Sequence, residues 1–119
     1  AMEIANASLL DEATSAAEAM SLSRRVSKSK SNTFFVDEQC LPQTINVLKT
    51  RAKLLGIDIK IGSPKDSSRE DYFGIILQYP SADGSLNDYT SIVGEAHEKK
   101  AFAIFATYLL ALTLIKAPG

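Results

Sequence analysis

Few side chains in this sequence could carry chemistry, and most of them stand alone. His97 is the one histidine, set between Ala96 and Glu98 near an expected helix end. A zinc site or a Ser-His-Asp arrangement needs several converging donors, so this imidazole reads as a solvated helix-terminal residue. Cys40 is the one cysteine, just ahead of Pro42. It has no partner for an internal disulfide and no His at a useful spacing, so it reads as a small buried residue in a reducing compartment.

Asp37 and Glu38 are adjacent acids at the end of an expected strand, where α/β sheets place ligands. Paired carboxylates there could hold Mg²⁺, as in a receiver-like regulatory domain. That chemistry also needs an acid at the end of a central strand, where this chain has Gln78 and Tyr79. Gly62-Ser63-Pro64-Lys65 follows a strand but lacks the full phosphate-loop pattern, and no G-x-G-x-x-G is present. Ser8-Leu9-Leu10-Asp11 has the capping-box layout and predicts a helix start. Free amides near Ala13 and Thr14 could cradle a phosphate there. Asp11 opposes this, because a carboxylate already faces the positive helix end, and capping is the default reading.

The elements that must position these residues follow from periodicity. Tyr72 to Leu77 is apolar on both alternating faces and ends at Gln78-Tyr79-Pro80, which predicts a strand buried on both sides. Leu9, Ala13, Ala16, Ala17 and Met20 give the first helix one apolar stripe. The serine and lysine stretch from Ser21 to Asn32 reads as a solvated helix end and loop. Thr33 to Asp37 is a strand. Pro42 opens a helix that buries Ile45, Leu48, Ala52 and Leu55, and Gly56 closes it. Ile57 to Ile61 alternates strictly, as an edge strand does.

Gly62 to Asp71 is a loop. Ser85-Leu86-Asn87-Asp88 repeats the capping box and predicts a helix burying Tyr89, Ile92, Val93 and Ala96. Ala101 to Ala106 reads as a second doubly buried strand. From Thr107 to Lys116 a helix with almost no polar face is expected, which would need cover from other polypeptide. The rhythm predicts a three-layer α/β/α domain over residues 1–119, with a mostly parallel four-stranded sheet in the order 2-1-3-4.

Bulk properties bound the function. The chain has 119 residues, 45% of them hydrophobic, and a net charge of -1. That suits one globular domain and gives no field that would draw it to nucleic acid or an anionic membrane. The apolar run Ala101 to Ile115 falls short of the roughly 20 residues of a spanning helix. No signal peptide is read at the start, and Ala1 before Met2 is expected to be left from a cleaved tag.

Several runs together resemble the glycine cleavage system P-protein family. They are Met2 to Thr14, Ala16 to Met20, Pro42-Gln43-Thr44 with Thr50-Arg51-Ala52, Gln78-Tyr79-Pro80, and Ala106 to Leu112 followed by Ala117-Pro118-Gly119. The resemblance implies part of a fold type I, aminotransferase-like large domain, from the half of the P-protein that lacks the Schiff-base lysine. It implies an enzyme that decarboxylates glycine on pyridoxal phosphate and passes the aminomethyl group to the lipoyl arm of the H-protein, in the bacterial cytoplasm or the mitochondrial matrix.

No catalytic or metal-binding residue is carried over. Thr14, Leu41 and Tyr108 are the nearest cofactor-site positions, and two of them depart from the family pattern. Leu41 stands where many relatives carry His, and Tyr108 where many carry Asp. The expectation is therefore a scaffold segment that binds no cofactor and is inactive alone. It would lie against the rest of the P-protein and self-associate through its apolar C-terminal end. The alternatives are a non-catalytic α/β interaction module and the receiver-like domain using Asp37 and Glu38.

Overall fold

The computed structural model describes residues 2–119, so Ala1 and the reading of it lie outside the described residues. The first helix, α1, spans Glu12–Val26 and buries Ala13, Ala16, Ala17, Met20 and Ser23. It starts after the Ser8 box expected from sequence. Ser8 has φ 58°, a left-handed turn conformation, whereas Asp11 is extended and its Oδ1 accepts from the Thr14 N–H at 2.7 Å. The carboxylate, not the hydroxyl, is the cap.

The stretch after α1 is a stitched seam rather than a solvated loop. Ser27, Ser29 and Ser31 each accept, through the side-chain oxygen, from the backbone N–H two residues on, at 3.1, 3.3 and 3.1 Å. The same three hydroxyls donate to the carbonyls of Lys100, Tyr72 and Asp71. The seam thus ties the chain to the segments that enter two later strands.

Four strands follow: β1 (Thr33–Asp37), β2 (Asp58–Gly62), β3 (Gly74–Tyr79) and β4 (Phe102–Thr107). All pair in parallel in the order β2-β1-β3-β4, as expected. Between β1 and β2 runs α2 (Pro42–Leu55), with Pro42 in its first turn and Gly56 closing it at φ 66°. Its buried face is Thr44, Leu48 and Ala52. Ile45 only packs against the core's edge, and Leu55, expected inside, is 52% exposed. The polar Thr44 displaced the sequence expectation because the spacing of four fixes the stripe better than hydropathy does.

The link from β2 to β3 contains a 3₁₀ helix over Pro64–Arg69. Lys99 holds it in place by donating to the carbonyls of Ser67, Ser68 and Glu70. The last helix, α3, spans Thr90–Glu98 and buries Ile92 and Ala96, with Tyr89 just ahead of it. It begins five residues beyond Ser85, after Tyr89 and with no side-chain cap; Asp88, just ahead, accepts the Thr90 N–H at 2.9 Å in a local turn. Val93 is half-buried.

Two cores result, one on each face of the sheet. Met20, Phe34, Val36, Leu48, Phe73 and Ile76 fill the side under α1 and α2. Phe35, Tyr72, Ile75, Leu77, Tyr89 and Ile92 fill the side under α3. The described helices and sheet therefore make three layers.

Two expectations at the C-terminal end change. Strand β4 takes the edge place that the order 2-1-3-4 gives it, pairing only with β3, but it is not buried on both faces: Phe102 is 39% exposed and Ala103 to Phe105 are half-buried. Beyond it there is no apolar helix, only a 3₁₀ turn over Ala111–Thr113, with Leu109, Leu110 and Leu114 at least 80% exposed. A short apolar helix gains its stability from tertiary packing, and among the described residues none covers these leucines.

Candidate functional site: the carboxyl edge of the sheet

In a parallel sheet with crossover helices, the strand ends and the helix beginnings meet at one edge. Here that edge gathers the residues after β1 (Glu38 to Leu41), after β2 (Ser63 to Lys65), after β3 (the cis Tyr79-Pro80 bond) and after β4 (Tyr108). The first turn of α1 joins them, since the Gln78 amide Nε2 sits 3.4 Å from Glu12 Oε1. Thr14, Leu41 and Tyr108 therefore share one edge, as do Asp37 and Cys40. His97 does not: it lies in the last turn of α3, at the opposite end.

Asp37 and Glu38 part company. Glu38 is exposed, whereas Asp37 is fully buried on the α3 side. The Asp37 carboxylate accepts from Gln39 N at 2.8 Å, from Gln78 N at 3.3 Å and from the Tyr89 hydroxyl at 3.3 Å. Burial raises its pKa above the usual value, and these hydrogen bonds offset only part of the rise. Among the described residues no group of three or more His, Cys, Asp or Glu side chains could hold a metal ion. A receiver-like pair is thus replaced by a structural tie, because a carboxylate with three internal donors has no open face for Mg²⁺ or a phosphoryl group. Sequence missed Tyr89 as its partner, since nothing in the spacing marks a contact made 52 residues away.

Cys40 is 2% exposed, and its thiol is pushed up to about 12 by burial, with Asp37 and Glu12 adding to the rise. A thiol so protonated is no nucleophile. Around the Gly62 to Lys65 stretch the only helix that starts is the 3₁₀ one, which offers no phosphate cradle. A cleft of about 610 Å³ opens here, and Glu38, Asp83, Asp88 and Glu95 outnumber Lys65 on its walls.

The α3 side has a smaller cleft of about 480 Å³, floored by Tyr79, Tyr89 and Phe105 and rimmed by Lys116 to Gly119. The three rings meet at centroid distances of 6.1 to 6.3 Å in tilted and edge-on pairs. Tyr79 also donates its hydroxyl hydrogen to the Lys116 carbonyl at 3.2 Å.

Pyridoxal phosphate would ask of this edge free amides for the phosphate, an acid for the ring nitrogen and a lysine for the aldehyde. The Thr14 amide is already used by Asp11. Tyr108 is half exposed and offers a phenol where an acid is needed, Leu41 offers no aromatic face, and the lysines Lys65 and Lys116 are exposed. The residues present do not fit the group.

Comparison with known proteins places this edge in context. The family model "Glycine cleavage system P-protein" matches residues 1–119. Glycine dehydrogenase (decarboxylating) of Psychromonas ingrahamii is 56% identical over 119 residues, all of this chain and 12% of the relative. The protein of the same name from Cereibacter sphaeroides is 53% identical over 118 residues, again 12% of its length. A crystal structure of glycine decarboxylase (P-protein) of the glycine cleavage system, in inhibitor-bound form, superposes with a TM-score of 0.71 at 25% identity. The overlap is 87% of this chain and 25% of that one. This chain spans about 12% of the curated relatives it matches, in the fold type I architecture, and it belongs to the glycine cleavage system P-protein family.

Proposed function

We propose that this chain is a scaffold segment of a glycine dehydrogenase (decarboxylating), one truncated α/β unit whose catalytic equipment lies elsewhere in the polypeptide. In the whole enzyme, pyridoxal phosphate supplies the electron sink for loss of CO₂ from glycine. The aminomethyl group then passes to the lipoyl arm of the H-protein, in the cytoplasm or the mitochondrial matrix. The observation that carries this reading is the family match over residues 1–119, joined to a carboxyl edge where Asp11 already holds the Thr14 amide and Asp37 is taken by three internal donors. The role left to the segment is to present a rigid sheet edge to the remaining polypeptide, with self-association through the uncovered C-terminal leucines when it stands alone.

A chimaera tests the reading. The 119 residues replace the matching stretch of the Psychromonas ingrahamii relative, and exchange of glycine carboxyl carbon with CO₂ is assayed with H-protein. Activity within about tenfold of the parent is expected, with an unchanged cofactor absorbance band. A folded, cofactor-loaded chimaera without exchange sinks the assignment. The isolated chain should show no cofactor band after incubation with pyridoxal phosphate, and a band lost on substituting one of its lysines would show that the segment is itself catalytic.

A further inference from the structure

The end of α1 and the serine seam behind it gather cations that no acid answers. Arg24, Arg25, Lys28, Lys30 and Lys100 are all exposed. None of them joins the two ion pairs present among the described residues, Arg51 with Glu18 and Lys60 with Glu70. They share one end of the molecule: the Ser27 hydroxyl donates to the Lys100 carbonyl at 2.9 Å, and Arg24 Nε donates to Asn32 Oδ1 at 3.2 Å, across the stretch that carries both seam lysines. Complementarity to a helix dipole accounts for Arg24, Arg25 and Lys100, which close α1 and follow α3. It does not account for Lys28 and Lys30, which lie beyond the helix.

Two further features mark this end as a docking surface. The serines are bonded on both sides, so Lys28 and Lys30 stand outward at a fixed spacing of two residues and the backbone has little freedom left to lose on binding. Leu22 and Val26, one turn apart on α1, are 37% and 51% exposed beside Arg25. Cations mixed with two apolar side chains match a polypeptide that alternates acids with apolar residues. A bare polyanion makes no use of Leu22 and Val26, and it is opposed by the net charge of -1 and by Asp71 at the far end of the seam. Permanent interfaces are more apolar than this, as the C-terminal leucines at the other end of the strands are, and so the composition fits a transient contact.

We propose that Arg25, Lys28 and Lys30, with Leu22 and Val26, form a docking surface for an acidic, apolar-spaced segment of a separate protein, bound transiently and released by salt. The proposal rests on contacts within this chain and not on the assignment to glycine decarboxylation, so either can fail without the other.

A short synthetic peptide of alternating glutamate and leucine, titrated into the ¹⁵N-labelled 119-residue chain, tests it. Amides from Leu22 to Asn32 should shift saturably at low salt and far less at about 1 M salt. Lys28→Glu with Lys30→Glu should weaken binding at least about tenfold. Leu22→Gln with Val26→Gln should weaken it several-fold while α1 persists, since glutamine is a good helix former. Duplex DNA and phosphatidylserine vesicles should bind more weakly than the peptide. No saturable shift, shifts centred elsewhere, or a tighter grip on DNA or vesicles than on the peptide overturns the proposal. A peptide affinity indifferent to the Leu22 and Val26 change overturns the choice of a polypeptide as partner.

Discussion

Asp37 is a buried carboxylate held by neutral donors, with no cation among its hydrogen-bond partners. Its pKa is raised in the folded chain, foremost by burial, so protonation is easier folded than unfolded. A raised carboxyl contributes stability below its unfolded value of about 3.8, and that contribution is lost as pH rises through the folded value. Asp11, Asp83 and Asp88 shift the other way, chiefly through hydrogen bonds from Thr14, Ser85 and Thr90, and their contribution is lost as pH falls below about 3.8. Asp37→Asn should therefore compare best with the parent at neutral pH and lose ground as pH falls toward 4. Urea unfolding at a series of pH values measures this, and a stability difference independent of pH would remove the argument. The acid was visible in the sequence; its role was not, because the Tyr89 hydroxyl and the Gln78 amide that define it come from distant parts of the chain.

At the scale of elements, the seam of Ser27, Ser29 and Ser31 shows how a stretch that looks like low-information linker can be structural. Alternation at a period of two put the serines inward and Lys28 and Lys30 outward, and each serine makes one bond to the seam and one to another segment. Replacing all three by alanine should cost about 2–3 kcal/mol, at roughly 1 kcal/mol for each partly exposed pair of bonds. Hydrogen exchange at the start of β4 should quicken first, because Ser27 holds the Lys100 carbonyl. Unchanged unfolding in urea would count against the seam.

Gly74 gives a second test. A Cβ there would stand 3.0 Å from Phe34 Cε2 and 3.5 Å from Ser23 Cβ. Phe34 is fully buried and cannot swing away, so Gly74→Ala should destabilise by about 1–3 kcal/mol through overpacking. Calorimetry or urea titration measures the loss; a neutral outcome would mean the core gives more readily than its packing implies. Strand order, the α2 stop at Gly56 and the doubly buried β3 were all legible from hydrophobic period and glycine placement. The start of α2 at Pro42 was legible too; those of α1 and α3 were not, since Asp11 rather than Ser8 caps the first and the other begins after Tyr89 with no side-chain cap.

For the molecule as a whole, the two edges of the sheet are unlike. Strand β2 carries Lys60 on its exposed positions, paired with Glu70 at 3.3 Å, in the manner of edges protected against further pairing. Strand β4 reads Phe102-Ala103-Ile104-Phe105-Ala106 with no charge, and Leu109, Leu110 and Leu114 extend the apolar surface beyond it. The apolar run read β4 as buried on both faces, whereas at the edge that the order gives it the strand pairs with β3 alone and stays partly open.

Alone in solution, such a surface should find another copy of itself. Sedimentation velocity of the 119-residue chain should show a weight-average coefficient that rises with concentration. The combined variant Leu109→Glu, Leu110→Glu and Leu114→Lys should hold it at the monomer value, with unchanged far-ultraviolet dichroism because none of the three is in the core. A parent chain that stays monomeric at high concentration would mean that β4 and the leucines are quiet without cover. Association that survives the triple change would move the contact to the β4 edge, where Phe105→Lys should then abolish it.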